Sequence, residues 1–258
     1  MLRVMGGYIL SRRGFTLRLE ANGYRVWSRV VPGTEPLIFF PGVGAGVVPY
    51  IWFLAVYDDR TVFAVEVPNM SGHSTSSCRH ATGKSLRELF HSLVLVGTPV
   101  SVVAHSLGTI HAAMIVNALP PHTIDSLVLM DPFCHPIHTS RTLSIVFGAV
   151  NAGANVSSMR RYFLRHGVGC DIGIQTFAHG VLSHTIVLHQ PEKCRSILNI
   201  VSAADTILSD SYDETMYAYL RQTHQYVHIV PGEHGSPMRR RHAHLTTDFF
   251  RNHTRKEK

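Results

Sequence analysis

The residues with the clearest chemical content are Ala104-His105-Ser106-Leu107-Gly108. Residues 100–104 are apolar enough for a buried strand, and residues 110–119 form a mostly apolar helical run closed by Pro120-Pro121. A serine on a sharp strand-to-helix turn must expose its Oγ above the sheet. The strained backbone there demands small residues two before and two after it. Ala104 and Gly108 meet that demand. A serine that merely caps a helix is the ordinary alternative, but a strand before and a helix after favour a nucleophile.

A serine hydroxyl attacks only when a base takes its proton, and the base must be held by an acid. In this type of site the chain order is Ser, then Asp or Glu, then His. Residues 197–201 are apolar and run into Ser202-Ala203-Ala204-Asp205, which places a carboxylate just past a buried strand. Residues 226–230 run into Pro231-Gly232-Glu233-His234-Gly235, which does the same for a histidine. Active sites of open α/β sheets lie beyond the carboxyl ends of the strands, where Ser106, Asp205 and His234 all fall. Asp131, closing Val128-Leu129-Met130-Asp131-Pro132, is the alternative acid, although Asp-Pro also favours a plain turn.

The other histidines carry less. There are 18 in the chain, and a histidine picked at random is usually a surface or satisfied core residue. His105 adjoins the serine, but an elbow points consecutive side chains apart, so it is a poor base. His135, His138, His166, His179, His184 and His189 lack a tight i, i+4 pairing with nearby acids, so no metal site is expected. Acyl chemistry also needs donors for the oxyanion, and backbone N–H groups are fixed before the reaction starts. Leu107 N–H, directly after the serine, is one expected donor. The other comes from Pro41-Gly42-Val43-Gly44-Ala45-Gly46, with Val43 favoured. That glycine loop lacks the Lys-Ser/Thr of a phosphate loop and the spacing of a dinucleotide site.

These residues need a sheet to position them. Phe15, Leu17 and Leu19 alternate with polar neighbours, Asn22-Gly23 supplies a turn, and residues 24–31 return, which predicts a hairpin. Buried strands are predicted at residues 37–40, 61–67, 100–104, 126–130, 197–201 and 226–230. Helical spacing appears at Leu86, Leu89, Phe90 and Leu93, and helices are expected near residues 212–220 and 239–250. Strands alternating with helices imply a mostly parallel α/β sheet. Residues 1–19 carry Arg3, Arg12, Arg13 and Arg18 with no acid before Glu20. They read as a surface strand entering the domain rather than a mitochondrial presequence. From about 133 to 191 the strand–helix rhythm stops. A structureless loop that long is rare, so a cap insertion is expected within a single domain spanning residues 1–258.

Composition bounds the rest. At 45% hydrophobic and 16% charged the chain can bury a core and is too apolar for disorder. With 24 basic against 17 acidic residues the net charge is +7. Arg239-Arg240-Arg241 is the sole dense basic block, so no nucleic-acid partner is expected. Cys78, Cys134, Cys170 and Cys194 are far apart, which favours free thiols in a reducing, cytoplasmic setting. The uncharged run 36–57 is long enough for a membrane span, yet Pro36, Pro41, Gly42, Gly44, Gly46 and Pro49 would break a lipid-facing helix. A strand, a glycine loop and a short helix fit it better. Residues 142–159 are uncharged, with Leu143, Ile145, Val146, Phe147 and Val150, between Arg141 and Arg160-Arg161. Such a stretch suits an apolar roof over the serine, and its basic flanks suit peripheral contact with an anionic head group or membrane surface.

Taken together, residues from about 15 to 250 resemble the α/β-hydrolase superfamily. The elbow carries most of the likeness. Val65-Glu66-Val67-Pro68 followed by Gly72-His73-Ser74 is similar to the family's strand and loop before the elbow, and residues 128–132 to the strand end before its cap. Two positions depart from the pattern. Pro41 replaces the usual histidine at the oxyanion turn, and Ala104 replaces the commoner glycine; neither change removes the expected oxyanion donors, Val43 and Leu107 N–H. The resemblance implies an eight-stranded, mostly parallel sheet with helices on both faces, a cap between the sixth and seventh strands, and hydrolysis without a cofactor. Ser106 stands where dehalogenases and epoxide hydrolases have an aspartate, so hydrolysis of a small-molecule or lipid ester is the leading expectation. Thioester hydrolysis, acyl transfer, perhydrolysis and non-catalytic ligand binding remain as alternatives, because fold alone does not fix substrate.

Overall fold

The computed structural model describes residues 2–19, 23–43, 46–68, 82–94, 97–135, 188–205, 214–223 and 225–253. Its centre is an eight-stranded sheet in the order β1-β2-β4-β3-β5-β6-β7-β8. The strands are β1 (Thr16–Leu19), β2 (Arg25–Arg29), β3 (Leu37–Phe40), β4 (Val62–Glu66), β5 (Val100–His105), β6 (Ile124–Met130), β7 (Ser196–Ser202) and β8 (Tyr226–Val230). β1 and β2 form the expected hairpin, and β2 joins β4 antiparallel. Every pairing from β4 through β3, β5, β6 and β7 to β8 is parallel. β3 through β7 are buried along their whole length, as apolar runs covered on both faces must be.

Two cores lie on opposite faces. One packs α3 (Gly83–Leu93) and α4 (Gly108–Ala118) through Leu86, Leu89, Phe90, Ile110 and Ile115. The other gathers Leu10, Trp27, Phe39, Phe53, Tyr57, Phe249 and Phe250 from α1 (Leu2–Arg12), the sheet, α2 (Ile51–Leu54) and its following turn, and the last helix, Ala243–His253. Each large apolar side chain buried this way contributes about 1.5–3 kcal/mol. A further helix, Glu214–Gln222, precedes β8. In chain order these last two are α5 and α6. The run 36–57 resolves into β3, a loop, a 3-10 turn (Val48–Tyr50) and α2. Among the described residues no helix is long and apolar enough to cross a membrane.

One expectation is overturned. The entry segment is the helix α1, not a surface strand. Gly6-Gly7 reads in sequence as a break, and each mid-helix glycine costs about 0.5–1 kcal/mol relative to alanine. Tertiary packing explains why glycine is used. A Cβ on Gly6 would lie 2.3 Å from Val48 Cγ2, so only glycine allows α1 to rest this closely on the 3-10 turn. Leu10, one turn on, is then completely buried.

Most of the expected cap, residues 136–187, lies outside the described residues, as do residues 142–159 with Phe147, Gly72-His73-Ser74, Asn22, Gly44 and Ala45. Cys134 and Cys194 are buried free thiols.

Candidate active site

Ser106 follows β5 directly and takes φ 53°. A non-glycine residue there is strained and must be held by its surroundings. Its N–H donates to Met130 O (2.9 Å), and its carbonyl accepts Thr109 Oγ1 (2.6 Å). Thr109 Oγ1 in turn accepts Phe133 N–H (2.8 Å), which locks the turn to the end of β6. Gly108 has no room for a side chain, because a Cβ would lie 2.4 Å from the carbonyl oxygens of both Phe40 and Pro41. The methyl of Ala104 is fully buried without such a conflict.

The turns after β7 and β8 meet over this serine. Ala203 N–H donates to Val230 O and Ala204 N–H to Gly232 O, both at 2.9 Å, which ties the two loops together. His234 Nε2 lies 2.8 Å from Ser106 Oγ, and His234 Nδ1 lies 2.6 Å from Asp205 Oδ2. The Asp205 side chain is fully buried and His234 is 10% exposed. A carboxylate facing Nδ1 accepts a hydrogen bond from Nδ1–H and leaves Nε2 as an acceptor facing the hydroxyl. The three residues expected from sequence are therefore within hydrogen-bond reach of one another.

The alternative acid is elsewhere engaged. Asp131 Oδ2 stands 3.9 Å from His234 Nδ1, beyond hydrogen-bonding distance. Asp131 also has positive φ, 44°, which turns its carboxylate toward the neighbouring loops. Oδ1 accepts Ser202 N–H (2.8 Å), while Oδ2 accepts the Ser202 hydroxyl (3.1 Å) and Gly235 N–H (2.6 Å). Burial pushes its carboxyl upward. The facing His105 and His234 and the Gly235 N–H outweigh that and hold it below the usual carboxylate range.

The loop after β3 is fixed at both ends. Gly42 N–H donates to Tyr50 Oη (2.9 Å), and Val47 N–H donates to the buried Glu66 Oε1 (3.0 Å). Arg25, 3.4 Å away, compensates the Glu66 charge. Val43 is half-buried and Leu107 buried, and neither N–H has a hydrogen-bond partner among the described residues.

His105 does not point away from the site as the elbow argument expects. Its ring lies beneath His234, centroids 5.3 Å apart, with Nδ1 2.9 Å from Tyr50 Oη. Burial pushes its imidazole pKa below the ordinary value. Tyr50 and Ser202 are thus site residues that sequence reasoning passes over. Tyr50 carries no motif, being one aromatic in an apolar run. His135 is a buried core histidine whose Nε2 lies 2.8 Å from Asn199 Oδ1.

His105, Asp131 and His234 bring three ligand atoms within 4.8 Å of one another. Bonds of about 2.0–2.1 Å to zinc would put tetrahedral ligands about 3.3 Å apart. The observed 3.8 and 3.9 Å separations are wider, and the nitrogen of His234 and both Asp131 oxygens already hold hydrogen bonds. Each of the three residues is instead hydrogen-bonded to partners outside the cluster.

Solved structures share this architecture. A membrane phospholipase A, described as a bacterial virulence factor, superposes with TM-score 0.71 at 14% identity, over 97% of this chain and 90% of that one. A thermophilic esterase from Thermogutta terrifontis gives 0.64 at 16% identity, over 93% and 99%. A structure from a study of carboxylesterases of the thaumarchaeon Nitrososphaera gargenis gives 0.64 at 14%, also over 93% and 99%. At these identities the likeness is one of fold. No curated protein matches the sequence significantly. The model of the alpha/beta hydrolase family matches residues 37–244, and the chain belongs to that family.

Proposed function

We propose that the chain is a serine hydrolase that cleaves carboxylic esters, lipid esters among them, through an acyl-enzyme on Ser106. The observation that carries this reading is the continuous path from Asp205 through His234 to Ser106, at 2.6 and 2.8 Å, ending on a serine with φ 53°. In it, Ser106 Oγ attacks the ester carbonyl carbon as His234 Nε2 takes its proton. Asp205 holds the Nδ1 proton and stabilises the imidazolium. The carbonyl oxygen becomes an oxyanion, with Val43 and Leu107 N–H as its donors. Collapse expels the alkoxide, which takes the proton back from His234. A water then repeats the sequence on the acyl-enzyme and releases the acid.

Esterase and phospholipase neighbours of the same fold support an ester over other acyl substrates. The uncharged sequence 142–159 supports an acyl group that gains from leaving water. At about 0.8 kcal/mol per methylene, kcat/KM should rise by up to roughly fourfold for each CH2 added. The test is steady-state hydrolysis of p-nitrophenyl esters from acetate to decanoate by the wild type, Ser106→Ala and Phe147→Asp. A rise with chain length that Phe147→Asp flattens, and no turnover by Ser106→Ala, is expected. Turnover retained in Ser106→Ala would refute the nucleophile. A maximum at acetate would refute the apolar acyl site.

A further inference from the structure

Beneath the triad lies a second buried chain of polar groups that the hydrolytic steps do not use. It starts at the oxyanion loop, where Gly42 N–H donates to Tyr50 Oη (2.9 Å). Tyr50 Oη contacts His105 Nδ1 (2.9 Å). The other nitrogen, His105 Nε2, faces Asp131 Oδ2 at 3.8 Å and has no hydrogen-bond partner among the described residues. Asp131 takes the N–H groups of Ser202, at the end of β7, and of Gly235, next to His234. One path therefore joins the loop carrying Val43 to both loops that carry Asp205 and His234.

The protons on this path can be assigned. An Nε2 lone pair aimed at the Asp131 carboxylate would set two acceptors face to face, whereas Nε2–H sets a donor there. Neutral His105 is then the Nε2–H tautomer, and its Nδ1 is an acceptor. Tyr50 has one hydroxyl proton and donates it to that nitrogen, while its oxygen accepts Gly42 N–H. Gly42 N–H is thereby committed, which leaves Val43 N–H as the donor for an oxyanion. Neutral His105 also keeps a like charge away from His234, 5.3 Å off between ring centroids, when that ring becomes cationic. The other charged groups facing it are Asp131 and Asp205.

We propose that Tyr50 and His105 are positioning residues that act through Gly42 and Asp131 to hold the oxyanion loop and the His234 loop in one mutual geometry. This rests on the reading of Ser106 as the nucleophile. The alignment matters when oxyanion and imidazolium form together, so its loss falls on kcat rather than on KM.

Tyr50→Phe deletes one oxygen and keeps the ring against Phe39, whose centroid is 5.0 Å away. His105→Leu deletes the acceptor and the donor. Each variant and the double variant would be compared by kcat and KM on p-nitrophenyl butyrate, by the rate of phosphonylation with a fluorophosphonate, and by thermal melting. Each single change should lower kcat and the phosphonylation rate together by about 10- to 100-fold, with KM within about twofold. Because the two act in series, the double variant should fall no more than about threefold below the weaker single. Unchanged kcat, an effect confined to KM or to melting, or losses that multiply in the double variant would overturn the proposal. Should the wild type neither hydrolyse the ester nor take up the phosphonate, the nucleophile reading fails and this proposal fails with it.

Discussion

Replacing Asp205 by Asn separates two jobs of the carboxylate: orienting His234 and balancing its charge. In the proposed mechanism Asp205, 2.6 Å from Nδ1, does both. An asparagine that offers its NH2 would leave Nδ1 as an acceptor and put the proton on Nε2, which faces Ser106 Oγ and must accept there. Wrong-tautomer variants of triads lose on the order of 10⁴ in kcat. Asp131 remains, with Oδ2 at 3.9 Å from Nδ1. Coulomb attraction falls as 1/r, so it supplies about two thirds of the charge stabilisation that Asp205 gives. It cannot orient the ring, because 3.9 Å is too long for a hydrogen bond and Oδ2 is committed to Gly235 N–H and the Ser202 hydroxyl. The expected loss for Asp205→Asn is therefore 10³ to 10⁴, roughly 4 to 5.5 kcal/mol in the barrier. Asp131→Asn should cost no more than about 10² in kcat but lower the melting temperature, since its carboxylate holds two backbone N–H groups. The assay is kcat on p-nitrophenyl butyrate, with circular dichroism to check the fold. A larger kcat loss in Asp131→Asn than in Asp205→Asn would reverse the assignment and refute the geometry argued here.

Two further outcomes follow from the packing. Gly108→Ala places a methyl 2.4 Å from two backbone carbonyl oxygens that cannot swing aside. It should destabilise by about 1–3 kcal/mol, read as a lower urea midpoint, and a midpoint equal to wild type would contradict the close approach. Burial also lowers the pKa of His111 to about 3 and of His135 to about 4. Because the unfolded chain takes up these protons near pH 6.5 while the folded chain does not, stability present above pH 6.5 is lost as pH falls toward 4. Each histidine contributes about 1.4 kcal/mol per pH unit in that window. His135→Gln should remove one proton's worth of that slope in melts between pH 4.5 and 7, and identical slopes would count against neutral burial.

Some of this site is legible in residue order and some is not. Ser106 stands out because Ala104 and Gly108 flank it between a strand and a helix, and Gly108 is required by contacts with Phe40 and Pro41 that the elbow itself creates. Asp205 is preferred over Asp131 in sequence, but both lie just past a buried strand, β7 and β6 respectively, so position alone does not separate them. The positive φ of Asp131, which aims its oxygens at Ser202 and Gly235, belongs to the folded backbone and has no marker in sequence. Tyr50 is invisible for a related reason. Its contact with His105 spans 55 positions and arises only when the 3-10 turn after the glycine loop folds back on the elbow. The helix α1 is hidden by Gly6-Gly7, where the close packing of Gly6 on Val48 outweighs poor helix propensity.

The most direct test is where a serine-directed fluorophosphonate attaches. Intact mass and peptide mapping of the treated protein should give one adduct, on Ser106, in the wild type. Ser106→Ala should give none, and His234→Ala should label at least 10³-fold more slowly. An adduct on another residue, or labelling of Ser106→Ala at the wild-type rate, would contradict the assignment of Ser106 as the nucleophile.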